Sequence, residues 1–98
     1  MNPAKVIREQ VQTLTDLPNV GKAVAGDLQR LGITEPGQLA GCCPLALYDR
    51  LAEIDGVHAD PCMLDTFMSI TRFMDGEEAR PWWFYTAERK RWMDSLKR

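Results

Sequence analysis

The sequence predicts an all-α fold: a single small domain of five or six short helices. Three observations predict it. Apolar residues recur at i, i+4 and i+7 in one segment after another. The stretches between stop signals run roughly ten to fourteen residues, the length of ordinary helices. No alternating strand pattern competes, since Val57-His58-Ala59 is too short to be a strand.

The elements follow in order. Asn2 caps a first helix with Pro3 at its first position, where a missing N–H costs nothing, and Ile7, Val11 and Leu14 give it one apolar stripe. Leu17-Pro18-Asn19-Val20-Gly21 interrupts it. Val24, Leu28 and Leu31 repeat the spacing, and Gly32 is the stop. Thr34-Glu35-Pro36 starts a short third helix through Leu39, ended by Gly41. Pro44 opens a fourth, with Leu47, Leu51 and Ile54 in register and Gly56 as its stop. Asp60-Pro61 combines a capping carboxylate with proline at the first helical position. The run behind it holds Met63, Leu64, Phe67, Met68, Ile70, Phe73 and Met74, a stripe too broad for one exposed face and so the most buried helix. Asp75-Gly76 breaks it, and Thr86 caps a last helix, 87–97, with Trp92, Met93 and Leu96 on its apolar side. LGITEPGQLAG and IDGVHADPCML form a loose internal echo, each a glycine stop followed by a proline-containing helix start.

Ninety-eight residues suffice for one modest core and leave no room for a cofactor domain beside a substrate domain. The chain is 45% apolar and 27% charged, as folded globular proteins are. It contains no run of apolar residues long enough for a membrane span, and MNPAKVIREQVQ lacks the uninterrupted apolar core of a secretion signal. A cytoplasmic protein with no membrane partner is expected. Three cysteines, Cys42 and Cys43 adjacent, fit free thiols better than a disulfide framework. The charge is unevenly spread. Residues 1–41 balance, 42–79 sum to −6 and 80–98 to +4. Such polarity serves either to solvate helix surfaces or to guide a partner.

The turn before the second helix carries the most chemistry. Pro18 fixes φ, Asn19 tolerates the left-handed region, and Gly21 admits positive φ and presents no side chain to an approaching group. The amides of Gly21, Lys22 and Ala23 open the following helix and have no acceptor within it. An anion there gains hydrogen bonds and the helix field together, and Lys22 adds a formal charge. Val20 turns inward to lock the flanking segments.

Leu17-Pro18-Asn19-Val20-Gly21, with Ala25 four residues on, resembles a helix-hairpin-helix motif, whose common form is Leu-Pro-Gly-Val-Gly followed by a small residue. That family holds a phosphate of the DNA backbone on the turn's amides without reading sequence. LQRLGI, CPLALYDRL, GVHADPCMLDTFMSITRF and PWWF narrow the match. From about Leu14 to Phe84 the chain resembles the pathogenicity-locus family of small bacterial helix-hairpin-helix proteins, some carrying a mitomycin-resistance label. The resemblance implies a SAM-like or tandem-hairpin architecture over 1–98, with 80–98 an aromatic segment plus a basic C-terminal helix. It also implies a phosphate site at Asn19, Val20, Gly21, Lys22 and Ala23. One departure is clear: Asn19 stands where DNA-binding hairpins carry their first glycine, and a side chain there crowds an incoming phosphate. Asp16 and Asp27 lie close enough in sequence to repel one.

Catalytic readings are weaker. A DNA glycosylase of this kind carries its lysine two residues after the last glycine, where this chain has Ala23, and the chain is too short to enclose a flipped base. Cys42, Cys43, His58 and Cys62 are four candidate ligands, but an adjacent Cys-Cys pair rarely gives two ligands with good geometry. Neither metal nor cofactor is expected. No activated Cys-His pair and no carboxylate pair stands out, and Asp60 reads as a helix cap. No enzymatic activity is expected.

Arg80-Pro81-Trp82-Trp83-Phe84-Tyr85 is the second informative stretch. In an extended chain Trp82 and Phe84 face one side, Trp83 and Tyr85 the other. One set covers the core; the other clasps the domain shut, packs on a partner, stacks on a base, or sits against Arg89 or Arg91. Two readings stay open. In the first, the protein binds duplex DNA weakly through its backbone, at Asn19 to Ala23, with Arg89, Lys90 and Arg91 as a second contact region. In the second, the hairpin is purely structural and Trp82, Trp83, Phe84 and Tyr85, or the acidic face, meet a protein partner or a second copy.

Overall fold

The computed structural model describes residues 5–98. The expected Asn2 cap and Pro3 start lie outside the described residues. Four α-helices are present among the described residues, not five or six: α1 (Lys22–Arg30), α2 (Pro44–Asp55), α3 (Pro61–Met74) and α4 (Thr86–Ser95). The other expected helices are single 3-10 turns, at Arg8–Gln10, Leu14–Asp16 and Pro36–Leu39, with a further one at Trp82–Tyr85.

The N-terminal segment departs most from expectation. Ile7, the supposed start of an apolar stripe, is half exposed. The neighbouring Arg8 instead packs its guanidinium over the Phe73 ring at 4.0 Å. It donates to the Phe73 carbonyl at 2.5 Å and the Glu77 carbonyl at 2.6 Å. A cation is thereby placed at the negative end of α3. These long-range bonds hold the segment in turns, because a short helix with weak propensity has little to set against them.

α3 is the centre of the molecule, as its broad stripe predicts. Leu64, Phe67, Met68, Ile70 and Phe73 are buried, and Leu17, Val20, Leu28, Leu39, Tyr48, Leu51 and Tyr85 pack around them. Asp60 caps α3 by accepting from the Cys62 amide at 2.8 Å. α1 and α3 end alike. The Ile33 amide donates to the Leu28 carbonyl at 2.9 Å and the Glu77 amide to the Arg72 carbonyl at 2.9 Å, across Gly32 (φ 84°) and Gly76 (φ 112°). Both are Schellman stops, in which a left-handed glycine returns the chain to the last free carbonyls. The internal echo is of this local kind: Gly32 and Gly56 are both left-handed stops before a proline start, but one leads to a 3-10 turn and the other to α3.

Two predicted faces are rotated. α2 buries Tyr48 and Leu51 and leaves Ile54 half exposed, because the Tyr48 hydroxyl reaches inward to donate to the Ala59 carbonyl. α4 buries Arg89, and Leu96, expected within the helix, follows its end and is half exposed. Thr86 is the first residue of α4, and its hydroxyl donates to Asp65 Oδ2 at 2.7 Å instead of capping the helix.

Part of the charge polarity of the sequence is taken up by ion pairs within the fold. Arg89 pairs with Asp65 at 2.8 Å, Arg98 grips both Asp49 oxygens at 2.9 and 2.8 Å, and Arg72 pairs with Glu88. Arg30 links Asp27 and Asp55. The arginines hold Asp49, Asp55 and Glu88 below their ordinary values of 3.8, 3.8 and 4.5. Each lowered carboxylate stabilises the fold fully above its ordinary value. That contribution is lost as pH falls through the depressed folded value, because the unfolded chain takes up protons that the native ion pairs resist. The urea midpoint should therefore be level from pH 7 to about 5 and fall steadily below pH 4; an equal midpoint at pH 3 and pH 7 would contradict the pairing.

Candidate functional site

The turn is built from its apolar anchors. Leu17, Pro18 and Val20 are buried, which pins both sides of Asn19 to the core. Asn19 takes the left-handed conformation, φ 66°. Gly21, by contrast, is extended at φ −99° and ψ −169°, so the positive φ of this turn falls on the asparagine and not on the glycine. The Asn19 amide group donates to Ser69 Oγ at 3.0 Å and to the Arg80 carbonyl at 2.7 Å. Its side chain is thus committed to α3 and to the chain before the aromatic turn. These two bonds fix the position of the side chain that stands where DNA-binding hairpins carry their first glycine.

Gly21, Lys22 and Ala23 are exposed. A Cβ at Gly21 would meet nothing within 4 Å. No side chain caps α1, its first turn holds no acidic residue, and the Gly21 carbonyl already accepts from Ala25 at 3.0 Å. Of the two carboxylates expected to repel an anion, only Asp27 is paired with a cation. Asp16 accepts from the Gln12 and Thr13 amides at 3.0 and 2.9 Å, bonds that lower its pKa, and Asp27 bonds Arg30. Val20, predicted with the phosphate-holding residues, contributes from the core side only.

Asn19 also supports a direct test of the turn. Asn19→Gly keeps the backbone conformation without steric cost and loses only the side-chain bonds. Asn19→Ala loses the same bonds and must hold a Cβ at positive φ, at about 1–2 kcal/mol. Alanine should therefore melt below glycine at this position, by several degrees in a thermal scan; the reverse order would refute the strained-turn account.

The aromatic stretch is a 3-10 turn, not an extended strand, so the expected alternation is wrong. At three residues per turn, Tyr85 points into the core, Trp82 is half buried, and Trp83 (62%) and Phe84 (55%) lie side by side in solvent. Trp83 meets Trp82 edge-on at 5.6 Å between centroids, and Phe84 meets Tyr85 edge-on at 5.2 Å. The cation on this surface is Arg80, 4.3 Å above the Phe84 ring, and neither Arg89 nor Arg91. Because Asn19 holds the Arg80 carbonyl, the aromatic turn is drawn against the N-terminus of α1. A depression of about 320 Å³ lies between them, lined by Asn19, Gly21, Trp82 and Trp83. Two stretches that the sequence offers separately therefore form one surface. Ser69, interrupting the apolar stripe of α3, is the one sequence signal that something polar has to dock there.

The basic cluster does not join it. Arg89 is buried, donating through Nε to Asp65 Oδ1, and is unavailable to an external phosphate. The expected contact fails at this residue because α4 turns it toward the buried carboxylate of α3. Lys90 and Arg91 are exposed, but neither lines the depression.

The thiols and His58 are dispersed. Cys42 donates to the Gln38 carbonyl at 3.1 Å, and Cys43 precedes α2 in solvent. Asp60 and burial push the Cys62 thiol up, which opposes a thiolate. His58 contacts Asp49 at 3.3 Å and the Tyr48 ring at 5.3 Å. Among the described residues no three histidine, cysteine or carboxylate side chains gather where a metal ion would be held, and no helix is long and apolar enough to cross a membrane.

The model of the pathogenicity locus family (Cdd1) matches residues 7–91. A mitomycin resistance protein, McrB, of Streptomyces lavendulae is 51% identical over 78 residues, which cover 80% of this chain and 74% of the relative. No solved structure matches the chain.

Proposed function

The chain belongs to the pathogenicity locus family, and on that basis we propose that it is a non-enzymatic helix-hairpin-helix module that binds the DNA backbone weakly and without sequence preference. The observation that carries this reading is the uncapped, exposed start of α1, with Lys22 beside it and no carboxylate in its first turn. Backbone N–H groups converging at the positive end of a helix suit a phosphate oxygen. The left-handed Asn19, buried Val20 and open Gly21 supply the rigid approach that such a hairpin requires. The limb before the turn is a 3-10 turn, so the hairpin rests on core anchors and not on a long first helix.

With few phosphates engaged and a net charge of −2, affinity should be modest and strongly dependent on salt. Fluorescence anisotropy with a labelled duplex of arbitrary sequence tests this. Neutralising two or three phosphates gives a slope of log affinity against log salt of about −2 to −3. Binding that is absent at low salt, or indifferent to salt, removes the proposal. The exposed pair Trp83 and Phe84 favours a second reading, a surface for a protein partner. Under it, duplex binding is absent and substitution of Trp83 changes association state or partner capture.

A further inference from the structure

Resting on the DNA-binding reading above, we infer that the depression beside the turn receives an unpaired nucleobase, so that the preferred ligand is a single-stranded gap or overhang and not fully paired duplex. Trp83 exposes 62% of its surface and Phe84 55%. Each ring has an aromatic neighbour. Trp83 is braced edge-on by Trp82, and Phe84 is held between Tyr85 and the Arg80 guanidinium. A solvent-facing indole is a platform with a π-face to offer, and bases stack on such platforms whatever their sequence.

The surroundings suit a base attached to a phosphate bound at the adjoining helix start. The depression, about 320 Å³, has the size of a small-molecule cleft (about 300–1,000 Å³) and no carboxylate among its lining residues. It is bounded on one side by Gly21, the residue that opens α1, and on the other by the two tryptophans. A strand whose phosphate sits on the Lys22 and Ala23 amides carries its adjoining base toward Trp83. Bases paired within a duplex are stacked on their neighbours and cannot enter; unpaired bases in a gap or overhang can. Glu78 lies 3.7 Å from Arg80 and outside the lining of the depression.

The experiment compares three labelled oligonucleotides with the full chain at one salt concentration: a blunt duplex, the same duplex with a single-stranded overhang, and the single strand alone. Anisotropy is read together with tryptophan fluorescence. The overhang and single strand are expected to bind several-fold tighter than the blunt duplex and to quench tryptophan emission. Trp83→Ala, at an exposed position that leaves the core intact, should lower overhang affinity about tenfold and abolish the quench, with blunt-duplex affinity unmoved. Equal affinity for all three ligands, or an unaltered overhang affinity in Trp83→Ala, overturns the inference and leaves the backbone-binding reading standing if blunt-duplex binding persists. No binding of any oligonucleotide ends both. Concentration-dependent dimerisation that Trp83→Ala abolishes, with no effect on DNA, overturns the inference in favour of a second copy as occupant.

Discussion

Arg89→Ala is expected to cost about 3–5 kcal/mol of folding stability, the largest effect of any single charge removal in this protein. Asp65 is completely buried and makes its bonds to Arg89 Nε at 2.8 Å and to the Thr86 hydroxyl at 2.7 Å. Deleting the arginine strands a carboxylate at the α3–α4 junction with one hydroxyl for company. A domain of this size holds about 5–15 kcal/mol in all, so the variant should melt at least about 12 °C lower or fail to fold at 37 °C. Replacing both partners with apolar residues of similar volume, Asp65→Leu with Arg89→Met, should recover most of the loss, because the pair's desolvation cost goes with it. Circular dichroism melts of the two variants decide the matter. An Arg89→Ala protein with native stability and weakened DNA binding would mean that the guanidinium faces outward after all. Substitutions at Lys90 or Arg91, both exposed, should leave the melt unchanged.

Gly21→Glu is expected to abolish duplex binding at low salt with the fold intact. The glycine is in an ordinary extended conformation and its missing Cβ points into open space, so a side chain is tolerated there. What changes is charge: a carboxylate now lies at the uncapped N-terminus of α1, where it competes for the free amides and repels a phosphate. Affinity should fall at least about tenfold, and the salt slope should flatten by about 0.9 for each phosphate that the protein no longer neutralises. Gly21→Ala is the matched control. It adds bulk without charge and should lose less affinity than Gly21→Glu does. Loss of binding in both variants would point to shape rather than charge, and retention in both would move the interface away from this turn.

Local punctuation is legible in the sequence where short-range chemistry decides structure. Asp60-Pro61 starts α3, Gly32 and Gly76 end helices, and Asn19 takes the left-handed conformation, because each needs only its immediate neighbours. The broad stripe of α3 is legible for a related reason: a helix apolar on most faces has nowhere to go but the centre. The N-terminal segment is not legible. Its Ile7, Val11, Leu14 spacing suits a helix, but Arg8 is held by carbonyls 65 and 69 residues away, a partnership that no local pattern announces.

Residue chemistry by itself determined that this is an all-helical protein and that an amide-rich turn precedes α1, since capping groups, glycine stops and apolar periodicity act over a few residues. Only the tertiary structure decided which charges remain for use and which surfaces adjoin. It buried Arg89 against Asp65 and, through the Asn19 bridge to Ser69 and Arg80, set the exposed tryptophan beside the turn. Burial and long-range hydrogen bonding are properties of packed elements, and a guanidinium or an indole looks the same in the chain whether it will face solvent or core.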